Sequence, residues 1–296
     1  MSRLGDPNPR TTYERTWDDD GAFLKEFPKE LSERRDLRVL VLYGCFGDTR
    51  KITIPPALGK LTKLRELHIG MAKIATLPEA LGKLVNLVEL DLGSAEVLRS
   101  LPNSLGKLRS LETLNLEFTH RLKALPASVG SLAKLEHLHA VSSGLTSVPA
   151  SLWNAKRLKS LALPDSVKKL PPGIAKLAAL EHLQLSGAAL ASIASELPKL
   201  EKLEKLEVHA GPLPETIAPP PRLAELNLTA LKLTELPAWM NKLTSLRILE
   251  VQYNQLREIS SLFAKLPKLA IVCYSGNKLP RKEILALETL MKSRRS

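Results

Sequence analysis

Five of the six histidines of this chain, His68, His137, His139, His182 and His209, fall among carboxylates that recur at regular intervals. Imidazole beside carboxylate is material for metal ligation, proton transfer or a pH-sensitive contact. His137 and His139 stand two residues apart, which on a strand puts both on one face as a candidate metal pair. Zinc wants three or four converging N, S or O ligands with hydrogen-bonded support behind them, and no Cys or further His at a ligand spacing supplies these. Asp18-Asp19-Asp20-Gly21 looks like part of a calcium loop, but the first-ligand position is Thr16 and the twelfth is Phe27, where a bidentate Glu is needed. The sequence has no phosphate-loop, nucleophile-elbow or zinc-protease string. Cys45 and Cys273 read as packing or surface thiols, so the expectation is no catalytic residue, no metal and no cofactor.

What positions these residues is a repeat. Eleven copies of L-x-x-L-x-L, followed by two exposed positions and a small residue, begin at Leu37, Leu64, Leu87, Leu111, Leu135, Leu158, Leu180, Leu203, Leu223, Leu246 and Leu269. A unit this short buries its apolar side only by stacking on its neighbours, so one elongated domain with an aliphatic core is expected. In Leu87-Val-Glu-Leu90-Asp-Leu92 the leucines point inward, and Glu89 and Asp91 point out. Stacked copies then form a parallel sheet. The return segments, such as Leu77 to Leu84 and Leu101 to Leu108, carry a proline near their start and predict a short helical or 3-10 turn on the opposite side.

The spacing, the strand leucines and the Leu-Pro pairs at Leu77-Pro78, Leu101-Pro102, Leu125-Pro126, Leu170-Pro171 and Leu236-Pro237 carry a family resemblance. The chain resembles cytosolic leucine-rich repeat proteins of the Ras-suppressor and Ras-scaffold type, and similar bacterial proteins. The resemblance implies an α/β solenoid: a horseshoe of about eleven repeats with a parallel sheet on its concave face and short helical or 3-10 segments on its convex face. The fold by itself leaves the function open among scaffold, receptor, inhibitor and effector. One departure concerns the ninth position of each copy, which in the family is usually asparagine. Here it is Cys45, Ala72, Ala95, Thr119, Ser143, Ser166, Ala188, Gly211 and Leu231 before Asn254 and Asn277. Leu231 follows the short twenty-residue repeat that contains Pro212, Pro214 and Pro219-Pro220-Pro221, so the return segment near residues 211–222 is expected to be extended and its stacking irregular.

Charge separates by position. The net charge is +12, yet the outward strand positions hold twelve acids against five bases, Arg38, Arg65, Lys159, Lys205 and Arg247, a local balance of −7. Lys60, Lys83, Lys107, Lys176, Lys199, Lys242 and Lys265 share one register of the return segments. An acidic concave face suits a protein partner with a basic contact surface. The candidate contacts are His68, Glu89, Asp91, Asn115, Glu117, Phe118, His137, His139, His182, Gln184, Glu207 and Tyr253. Phe118 and Tyr253 are included because exposed aromatics tend to anchor interfaces. Two rival readings stand beside this non-enzymatic scaffold: a convex lysine surface binding nucleic acid or anionic membrane, and a secreted bacterial effector acting on a host protein. No aromatic stacking platform accompanies the lysines, which disfavours nucleic acid.

The expected divisions are a flexible segment over 1–20, a capping half-repeat over 21–36, the repeats over 37–279, and a capping helix with a basic tail over 280–296. The first twenty residues show neither a signal peptide nor a membrane span, and the two cysteines lie too far apart to bridge. A monomer in a reducing cytoplasm is therefore expected.

Overall fold

Each leucine triplet becomes a strand because its alternation demands two unlike faces. In the computed structural model, which describes residues 12–16, 31, 33–43, 53–71 and 73–294, the eleven copies supply strands β2 to β12. The chain divides into two units, Met1–Leu158 and Lys159–Ser296.

In the first unit, β1 (Thr12–Thr16), β2 (Val39–Tyr43), β3 (Glu66–His68), β4 (Glu89–Asp91), β5 (Thr113–Asn115) and β6 (His137–His139) pair in sequence order, all parallel. Their register aligns Leu40, Leu67, Leu90, Leu114 and Leu138 in one row, each fully buried. The strand β1 lies within residues 1–20, the segment expected to be flexible. The segment has no leucine triplet, but the parallel edge of β2 satisfies its backbone groups. Most of the capping half-repeat over 21–36, together with Asp18–Asp20 and Cys45, lies outside the described residues.

The return segments of this unit are 3-10 turns over Pro56–Lys60, Glu79–Lys83, Asn103–Lys107, Ala127–Ser131 and Ala150–Asn154. All five are preceded by a proline in extended conformation. That is the role of the Leu-Pro pair: the leucine enters the core and the proline launches the turn with φ preset. Successive turns approach closely. A Cβ on Gly106 would lie 2.4 Å from the Ser128 carbonyl oxygen, and one on Gly82 2.8 Å from that of Ser104.

The second unit repeats the plan with β7 (Ser160–Ala162), β8 (His182–Leu185), β9 (Lys205–Val208), β10 (Glu225–Asn227), β11 (Ile248–Glu250) and β12 (Ile271–Cys273). Its central row is Leu161, Leu183, Leu206, Leu226, Leu249 and Val272. The returns are more varied. They include the short helices α1 (Gly187–Ser192) and α2 (Ser260–Lys265), and between β9 and β10 the described backbone forms no helical turn at all. This is the extended proline segment read from the sequence. It is tied down by Trp239, whose indole Nε1 donates to the Pro214 carbonyl at 3.1 Å. Asn254, buried, donates through Nδ2 to the carbonyls of Leu228 and Val251 at 2.9 Å, while its Oδ1 accepts from the Leu233 N–H. Asn277 makes the equivalent set to Val251, Tyr274 and Leu256. Helix α3 (Arg281–Ser293) follows Pro280 and buries Leu287.

Candidate functional site

Strand alternation puts the third and fifth positions of each copy on the outward face, where nine of the twelve candidate contacts fall, with Glu117, Phe118 and Tyr253 just beyond the strand ends. In the first unit Glu89 and Asp91 lie on β4, Asn115 on β5, Glu117 and Phe118 just after it, and His137 and His139 on β6. His68 lies on β3 but does not present itself to solvent. Its side chain is only 4% exposed, set among Glu66 at 3.6 Å, Asp91 at 3.7 Å and Glu89 at 3.9 Å. As a direct contact it is therefore corrected to a buried support that holds carboxylates in place. The alternation pattern could not show this, because burial of an outward position depends on which side chains lean over it.

The electrostatics follow. Burial pushes the His68 imidazole down, but its bond to Asp91 and the charges of Glu89 and Asp91 outweigh that, leaving its pKa above the ordinary 6.5. Burial pushes Glu89 up, with Glu66 and Asp91 adding repulsion, and the net shift is upward although His68 opposes it. Burial and the Asp91 charge also raise Glu117. Asp91 goes the other way. Burial would raise it, but bonds from His68, the Gly93 N–H and the Asn115 amide prevail. Asp91 Oδ1 accepts at 2.8 Å from Gly93 and 2.9 Å from Asn115 Nδ2, and Asn115 Oδ1 in turn accepts from the Glu117 N–H at 3.0 Å. Asp91 and Asn115 thus brace the strand exits, leaving Glu66, Glu89 and Glu117 as the half-buried charges able to meet a partner. Among the described residues no lysine or arginine pairs with any of these three.

Beyond the strand, the eighth position of the copy turns left-handed. Met71, Ser94, Phe118 and Ser142 in the first unit have φ of 54°, 60°, 57° and 56°. Ala230 and Tyr253 repeat this in the second. A side chain there costs backbone strain, and an aromatic that is also exposed gains nothing from burial to offset it. Phe118 is 47% exposed and meets His120 edge to face, with ring centroids 6.4 Å apart. Tyr253 is 68% exposed, and its ring lies against Gly276, where an added Cβ would come within 2.6 Å of it.

In the second unit the contacts are engaged with one another. Glu207 on β9 accepts from Lys205 Nζ at 2.7 Å and meets His182 Nε2 at 2.8 Å, and His182 Nδ1 is 3.5 Å from Ser160 Oγ. The His182 bond first, and then the Lys205 bond and charge, carry Glu207 down to about 2 against the effect of burial. Gln184 is the register neighbour of Glu207. Cys273 is a free thiol pushed up by burial and then by Glu250, which leaves it little thiolate character. His137 and His139 sit with ring centroids 6.1 Å apart, and among the described residues no group of three or more His, Cys, Asp or Glu is arranged to hold a metal ion.

A family model described as a leucine-rich repeat region matches residues 23–142 and 114–219. The chain belongs to the leucine-rich repeat family. Among solved structures, an internalin from Listeria monocytogenes is 22% identical, with a TM-score of 0.63 over 95% of this chain and 85% of that one. A leucine-rich repeat protein of Leptospira interrogans is 21% identical, with a TM-score of 0.51 over 90% and 85%. The Arabidopsis receptor kinase HAESA, solved with the peptide hormone IDA and the co-receptor SERK1, is 25% identical, with a TM-score of 0.53 over 86% of this chain and 44% of that one. No curated protein matches the chain in sequence. Leucine-rich repeat proteins commonly mediate protein–protein recognition, and among the described residues no helix is long and apolar enough to cross a membrane.

Proposed function

We propose that this leucine-rich repeat protein is a non-enzymatic recognition scaffold that holds a protein partner, through a basic surface of that partner, on the outward face of its strands. The observation that carries this reading is a set of half-buried first-unit carboxylates, Glu66 and Glu89 beside the buried His68 and Glu117 within the field of Asp91, without a lysine or arginine partner among the described residues. Burying carboxylates beside one another raises their energy, and a cation from outside relieves it. Phe118, exposed beside Glu117, offers the aromatic surface that such contacts favour. HAESA, which was solved holding a peptide, lends the mode of binding support. The Leu-Pro pairs favour a place near the cytosolic Ras-suppressor and Ras-scaffold type, hence a signalling role as a cytoplasmic monomer.

The test is capture of partners from the protein's native cytosol, read by mass spectrometry and by association kinetics. Glu89→Gln with Glu117→Gln should slow association of the captured partner by about tenfold. Lys83→Gln with Lys107→Gln should leave it unchanged. Loss of capture with the lysine pair alone would overturn the reading. Asp91 and Glu207 are poor choices for this test, because both hold internal hydrogen bonds.

A further inference from the structure

The bases of the first unit's strand face are not scattered among its acids. They collect at the edge where the strands begin. Two rows of side chains run across four successive copies there. One row is the residue just before the first leucine of a copy: Lys63, Asn86, Ser110 and Lys134. The other is the second residue of the copy before it: Arg38, Arg65, Val88 and Glu112. Between the rows lies a groove of 360 Å³. Its four cations are exposed, and among the described residues none is paired with a carboxylate. Asn86 is held in place by donating to the Thr62 carbonyl at 2.8 Å, so the groove wall is set before anything binds.

We propose that this edge groove is a second binding site, for an extended acidic peptide segment lying across the strands. It differs in place and in charge from the carboxylate cluster and does not depend on it. The distribution of charge selects the ligand. Arg38, Lys63 and Arg65 crowd one end, Lys134 stands at the other, and the middle is neutral, with Val88 on one wall and Ser110 on the other. Parallel strands are spaced by about 4.8 Å, so Lys63 and Lys134, three copies apart, are separated by roughly 14 Å, the reach of about four extended residues. The fitting segment has two acids, then about three small or polar residues, then one acid. A nucleic acid fits worse, because its evenly spaced phosphates would set one against Glu112 and others over the neutral middle, and no aromatic lines the groove to stack a base. Arginine pairs on adjacent copies suit carboxylates, which each can hold through two hydrogen bonds.

Fluorescence anisotropy at near-physiological salt tests this, using the full chain and a fluorescein-labelled peptide Glu-Glu-Gly-Ser-Gly-Glu. Arg38→Gln with Arg65→Gln should weaken binding at least about tenfold, and Lys134→Gln by less. Glu112→Gln should tighten it, an effect that misfolding cannot mimic. Lys83→Gln with Lys107→Gln, in the return-turn register, should leave binding unchanged. The site as proposed is wrong if the arginine pair is without effect, or if Glu112→Gln weakens binding. It is equally wrong if a peptide with its three acids moved to the centre binds as well, or if an oligodeoxythymidylate of equal charge binds more tightly than the peptide.

Discussion

The two units carry the same number of outward strand carboxylates, six each, and differ in how several of them are held. In the second unit Glu207 is bonded by Lys205 and His182, and Glu250 by the Asn227 amide at 2.9 Å. In the first, Glu66 and Glu89 share one buried histidine, and neither they nor Glu117 meet a lysine or arginine among the described residues. Glu207 and Glu250 are held within their own face, while Glu66, Glu89 and Glu117 are not held by a lysine or arginine among the described residues. A tally of charges by position does not distinguish the two. What separates Glu207 from Glu89 is a cation two residues away on the same strand, Lys205.

The largest effect that could break this comparison concerns the core, which both units should share. Leu114→Ala in the first unit and Leu226→Ala in the second should each cost about 2–5 kcal/mol in chemical denaturation, since both positions are buried at 1% exposure or less. Their surroundings should differ in rigidity. Residues 203–231, with the extended proline stretch, are expected to exchange amide hydrogens faster than residues 64–135, where glycine-spaced turns stack closely. Equal protection in both regions would show that the irregular copy packs as well as the regular ones.

A smaller effect separates the carboxylates. Glu207→Gln should lose about 1–3 kcal/mol, because it leaves Lys205 and His182 without their shared carboxylate. Glu89→Gln should be neutral or slightly stabilising, because its charged form is already disfavoured. A loss at Glu89 as large as that at Glu207 would erase the distinction.

Acidity sharpens it further. The folded pKa of Glu207, about 2, lies below its unfolded value near 4.5, so the stability it contributes is present above pH 4.5 and is lost as the pH falls toward 2. His68 has the opposite sign. Its folded pKa is raised, so its contribution is full below about pH 6.5 and is lost as the pH rises through the folded value. Thermal melting across pH should therefore show Glu207→Gln flattening the acid side of the profile and His68→Gln flattening the neutral side. NMR titration of the His68 ring gives the direct check, and its pKa should fall in Glu89→Gln.

The smallest expected change is at Phe118. Replacing it by glycine relieves a left-handed backbone at an exposed site, so stability should rise by up to about 1 kcal/mol, seen as a melting temperature a few degrees higher at most. A loss of stability would mean that the ring is held by the fold itself.

Much of this was legible in advance. The leucine period set the strands, their register and the inward rows, and the Leu-Pro pairs set the turns, because stacking leaves those residues no other place. The prolines near Leu231 foretold the extended return. The burial of His68 was not legible, since a position read as outward is covered or bare according to neighbours one copy away. Nor was the left-handed register of Met71, Ser94, Phe118 and Ser142, whose residue types share nothing but their place in the turn. The pairing of Glu207 with His182 needed the register of β8 against β9, which sets His182 beside Lys205 and Gln184 beside Glu207. The strand β1 escaped because it borrows its order from β2 and has no pattern of its own.

The fastening of α3 bears on which substitutions the α2 return can take. Arg294 donates to the carbonyls of Phe263, Leu266 and Leu269 with its guanidinium 4.4 Å from the centre of the Phe263 ring, and Glu283 accepts from the backbone N–H groups of Ile259 and Ser260. Most of these partners are main-chain groups at or beside the short helix α2, so the fastening depends on the course of that return more than on the side chains it carries. A substitution on the outer side of α2 should therefore leave α3 seated as long as the helix keeps its path.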